Sequence, residues 1–549
     1  MADTSTRQLA PSRRPAASRP RRRTPRYAGQ LRRKLAALAG PTARGGGWLA
    51  AGALLFGCYL HISRTVPVDS DGASNALQAW DMLHGNLLLR GWHLSDVSFY
   101  TTELPQYMII ELVRGLSPDV VHVAGAITFT LLVLVAAMLA KGNRRGRQAA
   151  VSMGVAAGIM LAPQLGSGVY VLMLDPDHTG TSVPVLLVWL LLDRAPRRWY
   201  VPMAATGLLA WALVADSMVL IIGVLPLLAV CATRCYRAIV RERLPPGCWW
   251  FELSLAAGAL IAAAVARSAL ALIASHGGFR VWPVGSQLAS YGELPGHLLL
   301  TGQGLLLLFG ADFFGQQLGL AAALAMLHWV GLALAGCAVC LAARRFAGEA
   351  DLVTQVLLAA VAVDVAAYVS GTRAVDVHST REIAAVLPCC AVLAGRLLAR
   401  RIDAARMVPA LLVALTGYLL CLGREMARPA QPAQGQQLAS WLAAHHLDYG
   451  LAGYWQAAST TLASGGRVQV LPVQAGHETV SRGGWEADAS WYDPLRHTAT
   501  FFVLPPGGPG LAYPWSFDVR ATFGQPARIY DAGQCTVLVW NRNLLTGLR

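Results

Sequence analysis

About eleven runs of near-uniform apolar residues, each close to the thickness of a bilayer core and joined by short connections, constrain this chain more than anything else in it. Inside hydrocarbon a segment must satisfy its own backbone amides, so such runs are helices or strands of a closed barrel. Their length selects helices. They fall at approximately 46–64, 119–140, 150–172, 181–193, 201–215, 217–233, 248–275, 319–341, 352–369, 383–399 and 407–423. With 55% hydrophobic and 14% charged residues, and a mean hydropathy of +0.45, the 549-residue chain is too apolar for an ordinary soluble protein. The expected fold class is a polytopic α-helical membrane protein with a small C-terminal α/β extracytoplasmic domain.

The net charge of +15 would suggest nucleic-acid binding if the positive residues formed a patch. They sit instead in the N-terminal tail and in short connections: Arg144, Arg145 and Arg147; Arg197 and Arg198; Arg234 to Arg243; Arg344 and Arg345; Arg400, Arg401 and Arg406. Placing each of these on the cytoplasmic side makes the spans alternate without a forced exception. The opposite side then collects Asp69, Asp71, Asp96, Glu103, Asp175, Asp177, Asp216, Glu293, Asp376 and Glu382. Residues 1–44, mostly Arg, Pro, Ser and Ala, bury too little to order themselves and read as a basic cytoplasmic tail. The first span follows it uncleaved. Residues 45–424 form the transmembrane domain. Residues 425–549 alternate apolar and polar positions around a helix at Gly435 to His446, and lie outside the cytoplasmic membrane. Most of the cysteines fall inside apolar runs, where a thiol packs as a small hydrophobe. Soluble hydrolase, nucleotide and zinc-protease motifs are absent, and no nucleic-acid partner is expected.

Chemistry concentrates in the stretch from Asp69 to Tyr107. Carboxylates beside hydrocarbon need a partner or a cavity, which makes function the default reading. Asp69 and Asp71 precede an amphipathic segment containing Ala73, Ala76, Leu77, Trp80, Met82 and Leu83, expected to lie along the membrane surface. A carboxylate there can take the proton of an acceptor hydroxyl as a phosphate leaves a sugar carbon. The plainer alternative is that Asp71 caps this helix. The run DGASNALQAWDMLHGN, followed by FYTTELPQY, resembles the first external loop of the GT-C superfamily of membrane glycosyltransferases, which includes protein O-mannosyltransferases and aminoarabinose transferases. The family's loop positions would fall on Asp71, Ala79, Met82, Leu83, Gly85, Pro105 and Tyr107. Gly72 stands where the family often has a second acid, so the resemblance leaves the base open between Asp71 and Asp69. It implies an inverting transfer from a polyprenyl-phosphate sugar donor to a glycan, lipid or protein acceptor, with Glu103 and Tyr107 at the substrate.

Two further groups belong to this reading. Asp175, Asp177 and His178 offer oxygen and nitrogen ligands to a divalent cation such as Mg or Mn, or else form a tight Asp-Pro-Asp-His turn. Arg373, His378 and Arg381 lie on the face where the positive-inside rule depletes arginine, and a guanidinium fork suits a donor phosphate. Local pairing with Asp376 and Glu382 is the alternative. A secondary transporter or lipid flippase, with acids such as Asp216 and Asp364 on its pathway, is the competing function.

Overall fold

The protein is described here from a computed structural model that covers residues 41–174, 178–195, 197–282, 287–346, 348, 350–475, 479–505 and 514–548. Most of the basic tail and the pair Asp175 and Asp177 therefore lie outside the described residues. The described residues divide into two units after Ala53.

The chain is dominated by helices: α1 (Pro41–Ser63), α2 (Ser70–Leu83), α3 (Glu103–Arg114), α4 (Asp119–Lys141), α5 (Gly146–Met160), α6 (Thr179–Arg194), α7 (Val201–Ala215), α8 (Leu225–Tyr236), α9 (Trp250–Ser275), α10 (Leu294–Leu308), α11 (Leu320–Arg345), α12 (Leu352–Ser370), α13 (Val386–Ala404) and α14 (Val408–Met426). Among the described residues, seven helical stretches are long and apolar enough to cross a membrane: 46–63, 119–141, 220–241, 250–275, 320–345, 352–370 and 408–426. The chain is a multi-pass membrane protein.

Two expected features differ. The run at 150–172 is broken: α5 stops at Met160, and the chain resumes as a short turn, Ser167–Val169, that runs into a π-helical turn, Tyr170–Leu174. Pro163 has no amide to continue the α5 ladder, and Gly166 takes φ +75°, which an L side chain resists. The break matters because it turns Tyr170 toward Asp69. The stretch 294–308, expected as loop, is helix α10 with Leu298 and Leu299 exposed. Its 15 residues span about 22 Å at 1.5 Å each, short of a bilayer core.

Helices α6, α12 and α13 fix two opposite ends. At one end, Arg396 of α13 grips Asp193 of α6 at 2.8 Å and Asp351, the N-cap of α12, at 3.0 Å. Arg144 adds a 2.5 Å bond to the Arg396 carbonyl, so basic connections gather there. At the other end lie His178, which precedes α6, the loop after α12, and the 3-10 turn His378–Ile383 before α13.

The C-terminal region is an α/β domain, with helices α15 (Gln436–Ala444), α16 (Tyr454–Ala463) and α17 (Pro514–Phe523) on a six-stranded sheet. The sheet's order is β5 (Val480–Arg482), β4 (Gln469–Ala475), β3 (Tyr449–Gly453), β7 (Phe501–Leu504), β9 (Cys535–Val539), β8 (Arg528–Ala532). β3 runs parallel to both β4 and β7, and the remaining neighbours are antiparallel. Apolar clusters built around Phe502 and Leu538 and around Phe501 and Val537 give the sheet two dry faces. A second, small sheet joins distant parts of the chain. In it β1 (Trp92–Leu94) pairs in parallel with β2 (Arg280–Val281) and antiparallel with β6 (Ala487–Asp488) of the C-terminal domain. Together with α16 against α2, this sheet docks the domain on the acidic loop.

Candidate active site

Asp69, not Asp71, caps α2. Its backbone is extended, and its Oδ1 accepts the amides of Asp71 and Gly72 at 3.1 and 3.2 Å. Replacing such a cap commonly costs about 1 kcal/mol. Tyr170 donates its hydroxyl to the other Asp69 oxygen. Asp71 stands in the first helical turn, its side chain turned to a different set of partners: Arg381 Nη1 lies 3.3 Å from Oδ2, and the Tyr454 hydroxyl donates to Oδ1 at 2.5 Å. Tyr454 also meets Glu486. Three segments far apart in sequence thus converge on one carboxylate.

Beside this group sits a buried charged chain. His178 Nδ1 lies 2.8 Å from Asp216 Oδ2, and its Nε2 lies 3.3 Å from Glu382 Oε2. Thr181 donates to the same Asp216 oxygen at 2.5 Å. Glu382 reaches Arg373 at 3.4 Å, and Arg373 pairs with Asp96 at 2.6 Å. Burial alone would discharge His178, but Asp216 and Glu382 on its two nitrogens outweigh it and hold the imidazole protonated well above its ordinary range. Burial likewise opposes charge on Glu382, yet His178, Arg373 and Arg381 pull that carboxyl down to about 2.

The signs of these two shifts define a window. His178, raised, contributes stability that is complete below its unfolded value of 6.5 and lost as pH rises through its folded value. Glu382, lowered, contributes stability that is complete above 4.5 and lost as pH falls toward about 2. Both act fully between 4.5 and 6.5. Thermal unfolding of the detergent-solubilised protein should therefore show this network's contribution greatest in that window, and E382Q should flatten the profile there. An E382Q profile parallel to the wild type would show the pair to be inert.

Glu103 and Tyr107 lie on α3, both buried. Burial pushes the Glu103 carboxyl up to about 7, against a hydrogen bond from Thr102 that favours the charged form. Gly180 makes room for it, since a Cβ there would come 1.8 Å from Glu103 Oε1. His378 stacks edge-on against Tyr170, with ring centroids 5.0 Å apart. Asp376 accepts the Ser379 amide at 2.9 Å, while Arg373 meets Asp96 and Glu382 and Arg381 meets Asp71.

A divalent metal needs lone pairs, and both ring nitrogens of His178 already face carboxylates. His178 therefore does not fit a ligand role. Among the described residues, no group of three His, Cys, Asp or Glu side chains has metal-binding geometry, and Asp175 and Asp177 lie outside those residues.

Reading the sequence missed Tyr170, Tyr454 and Glu486 as site residues. Tyr454 is one of many aromatics in residues 425–549, and Glu486 is a single acid in the run GGWEADASW, which carries no spacing signal.

Comparison with solved structures gives the architecture a precedent. The crystal structure of ArnT from Cupriavidus metallidurans bound to undecaprenyl phosphate superposes with a TM-score of 0.54 at 12% identity, over 91% of this chain and 98% of that one. The apo form of the same protein gives 0.54 at 13%, over 92% and 99%. The chain shares the fold of these ArnT structures. The apo oligosaccharyltransferase of Archaeoglobus fulgidus gives a TM-score of 0.46 at 12% identity, over 83% of this chain and 69% of that one. No family model and no curated protein sequence matches the chain. The fold is thus shared at 12–13% sequence identity.

Proposed function

We propose that the chain is an inverting glycosyltransferase that moves a sugar from a polyprenyl-phosphate donor to an acceptor hydroxyl on the outer face of the cytoplasmic membrane. The observation that carries this is the meeting of the Asp71 carboxylate and the Arg381 guanidinium at 3.3 Å, on a fold shared with an ArnT whose structure holds undecaprenyl phosphate. In this reading Asp71 takes the acceptor proton as the acceptor oxygen bonds to the anomeric carbon. The carbon–oxygen bond to phosphate breaks from the opposite side, and polyprenyl phosphate departs with the electron pair. Arg381 neutralises the charge that grows on that phosphate, and His378 lies on the same 3-10 turn. Arg373 serves more as a brace, because Asp96 and Glu382 already occupy it. Asp69 orients α2. Glu103 and Tyr107 would line the substrate side.

Charge supports the outward orientation: the Arg144 and Arg396 cluster lies at the opposite end of α6, α12 and α13, the end that the positive-inside rule would assign to the cytoplasm. The N-terminus would then be cytoplasmic and the C-terminal domain extracytoplasmic. The transporter reading weakens on Asp216, whose carboxylate is committed to His178 and Thr181.

The test is transfer in membranes bearing the protein, using labelled polyprenyl-phosphate sugars of known anomeric configuration. A product of opposite configuration, with release of polyprenyl phosphate, is expected. Retained configuration, or transbilayer movement of the donor without transfer, would overturn the proposal.

A further inference from the structure

Tyr454 stands between two carboxylates. Its hydroxyl is within hydrogen-bond reach of Asp71 Oδ1, at 2.5 Å, and of Glu486 Oε2 on its other side. A phenol has one proton and donates once. If both carboxyls were ionised, one would face the phenol oxygen with no hydrogen between them, in a buried place where that is costly. One carboxyl must therefore bring its own proton and donate to the phenol oxygen.

The surroundings decide which. Asp71 has a guanidinium, Arg381, at 3.3 Å to stabilise its charge. Glu486 is 5% exposed, and its neighbours are the hydroxyls of Tyr454, Ser74 and Ser95, with the Asp71 charge beyond. Burial first, then Asp71, pushes the Glu486 carboxyl well above the usual range. Burial also raises Tyr454, so the phenol keeps its proton. Two residues on, Asp488 of β6 is itself raised by burial and influenced by Asp81 and His93. Glu486 adopts φ +49°, a left-handed conformation that non-glycine residues take at some cost, and β6 in the small sheet follows directly.

We propose that Glu486 of the C-terminal domain keeps its proton and, through the Tyr454 hydroxyl, holds Asp71 as an oriented carboxylate. Tyr454 and Glu486 are then positioning residues for the transfer. This rests on the reading of Asp71 as the base. The order of donation is Glu486 to Tyr454 to Asp71, with no proton gained or lost overall. When Glu486 ionises at alkaline pH, the single phenolic proton is divided between two anions and Asp71 loses its undivided donor.

The experiment uses the full-length protein in membranes and compares E486Q, E486A, Y454F and D71N. The glutamine amide mimics the protonated acid and cannot ionise. E486Q should lose far less kcat at neutral pH than E486A, while its alkaline limb in kcat/KM disappears or moves upward. E486A and Y454F should lower kcat about 10- to 100-fold, the scale of one lost hydrogen bond to a charged group, and leave the donor KM unchanged. A second readout does not depend on turnover: the infrared protonated-carboxyl carbonyl band that E486Q removes, read as a difference spectrum because other buried acids such as Glu103 contribute their own, should be present at neutral pH in the wild type and in D71N. Absence of that band from the wild type, or an E486Q alkaline limb coincident with the wild type, would overturn the proposal. If D71N turned over normally while the band was present, the base assignment would fall and the shared proton would stand.

Discussion

Asp71→Asn should lower kcat for sugar transfer by about 10²- to 10⁴-fold, the usual contribution of a positioned general base. The substitution keeps the shape and removes the proton affinity together with the charge that faces Arg381. Asparagine has nearly the same shape, and it can still accept from Tyr454 through its carbonyl oxygen. The N-cap of α2 belongs to Asp69, so the helix should persist. The informative control is Asp69→Asn, which keeps an oxygen to accept the Asp71 and Gly72 amides and should retain most activity. Single-turnover rates with a labelled donor separate the two, since D71N should bind donor and fail in the chemical step. Equal rates for D71N and the wild type would remove Asp71 from the mechanism.

Arg381→Ala should cost about 10²- to 10³-fold in kcat/KM, the scale seen when one group that stabilises transition-state charge is removed. Two losses combine. The leaving phosphate no longer meets a guanidinium, and Asp71 loses the cation 3.3 Å away that favours its ionised form. Arg381→Lys keeps the charge without the planar fork, so it should recover only part of the loss. Because Arg381 and Asp71 act on one another, the double variant should be much less impaired than the product of the two single effects. Arg373→Ala should act differently, lowering thermal stability more than turnover, because its guanidinium is taken by Asp96 and Glu382. Donor titrations of kcat and KM for these four variants, with thermal unfolding of R373A, decide this. An R381A enzyme with wild-type kcat/KM would exclude Arg381 from the donor site.

Much of the bundle was legible because lipid leaves a chain few choices. Runs such as 119–141 and 352–370 are apolar over membrane length, and an apolar run in hydrocarbon is a helix. The break after Met160 was harder, since Pro163 and Gly166 lie within a run whose average hydropathy stays high. Helix α10 was missed for the opposite reason: Gly296, His297, Gly302 and Gln303 interrupt it, and it is too short to read as a span. At the site, Asp71, His178 and Arg381 were visible as acids, imidazole and guanidinium in loops of one side. Which of two aspartates caps the helix is a matter of backbone angle, and two residues of sequence spacing do not specify it. Tyr454 and Glu486 were invisible because their partner lies 383 residues from Tyr454, and it takes the small β2-β1-β6 sheet and the packing of α16 on α2 to bring the two regions together.

That sheet also bears on biosynthesis. Translation runs from the N-terminus, so every membrane helix is made before β6 and α16 leave the ribosome. Until then Asp71 lacks its tyrosine contact and β1 lacks one of its edges. A nascent bundle inserted in the bilayer is thus still unfinished at its reactive end, and a chain stopped short of the last strands would keep every membrane crossing while leaving that end unassembled.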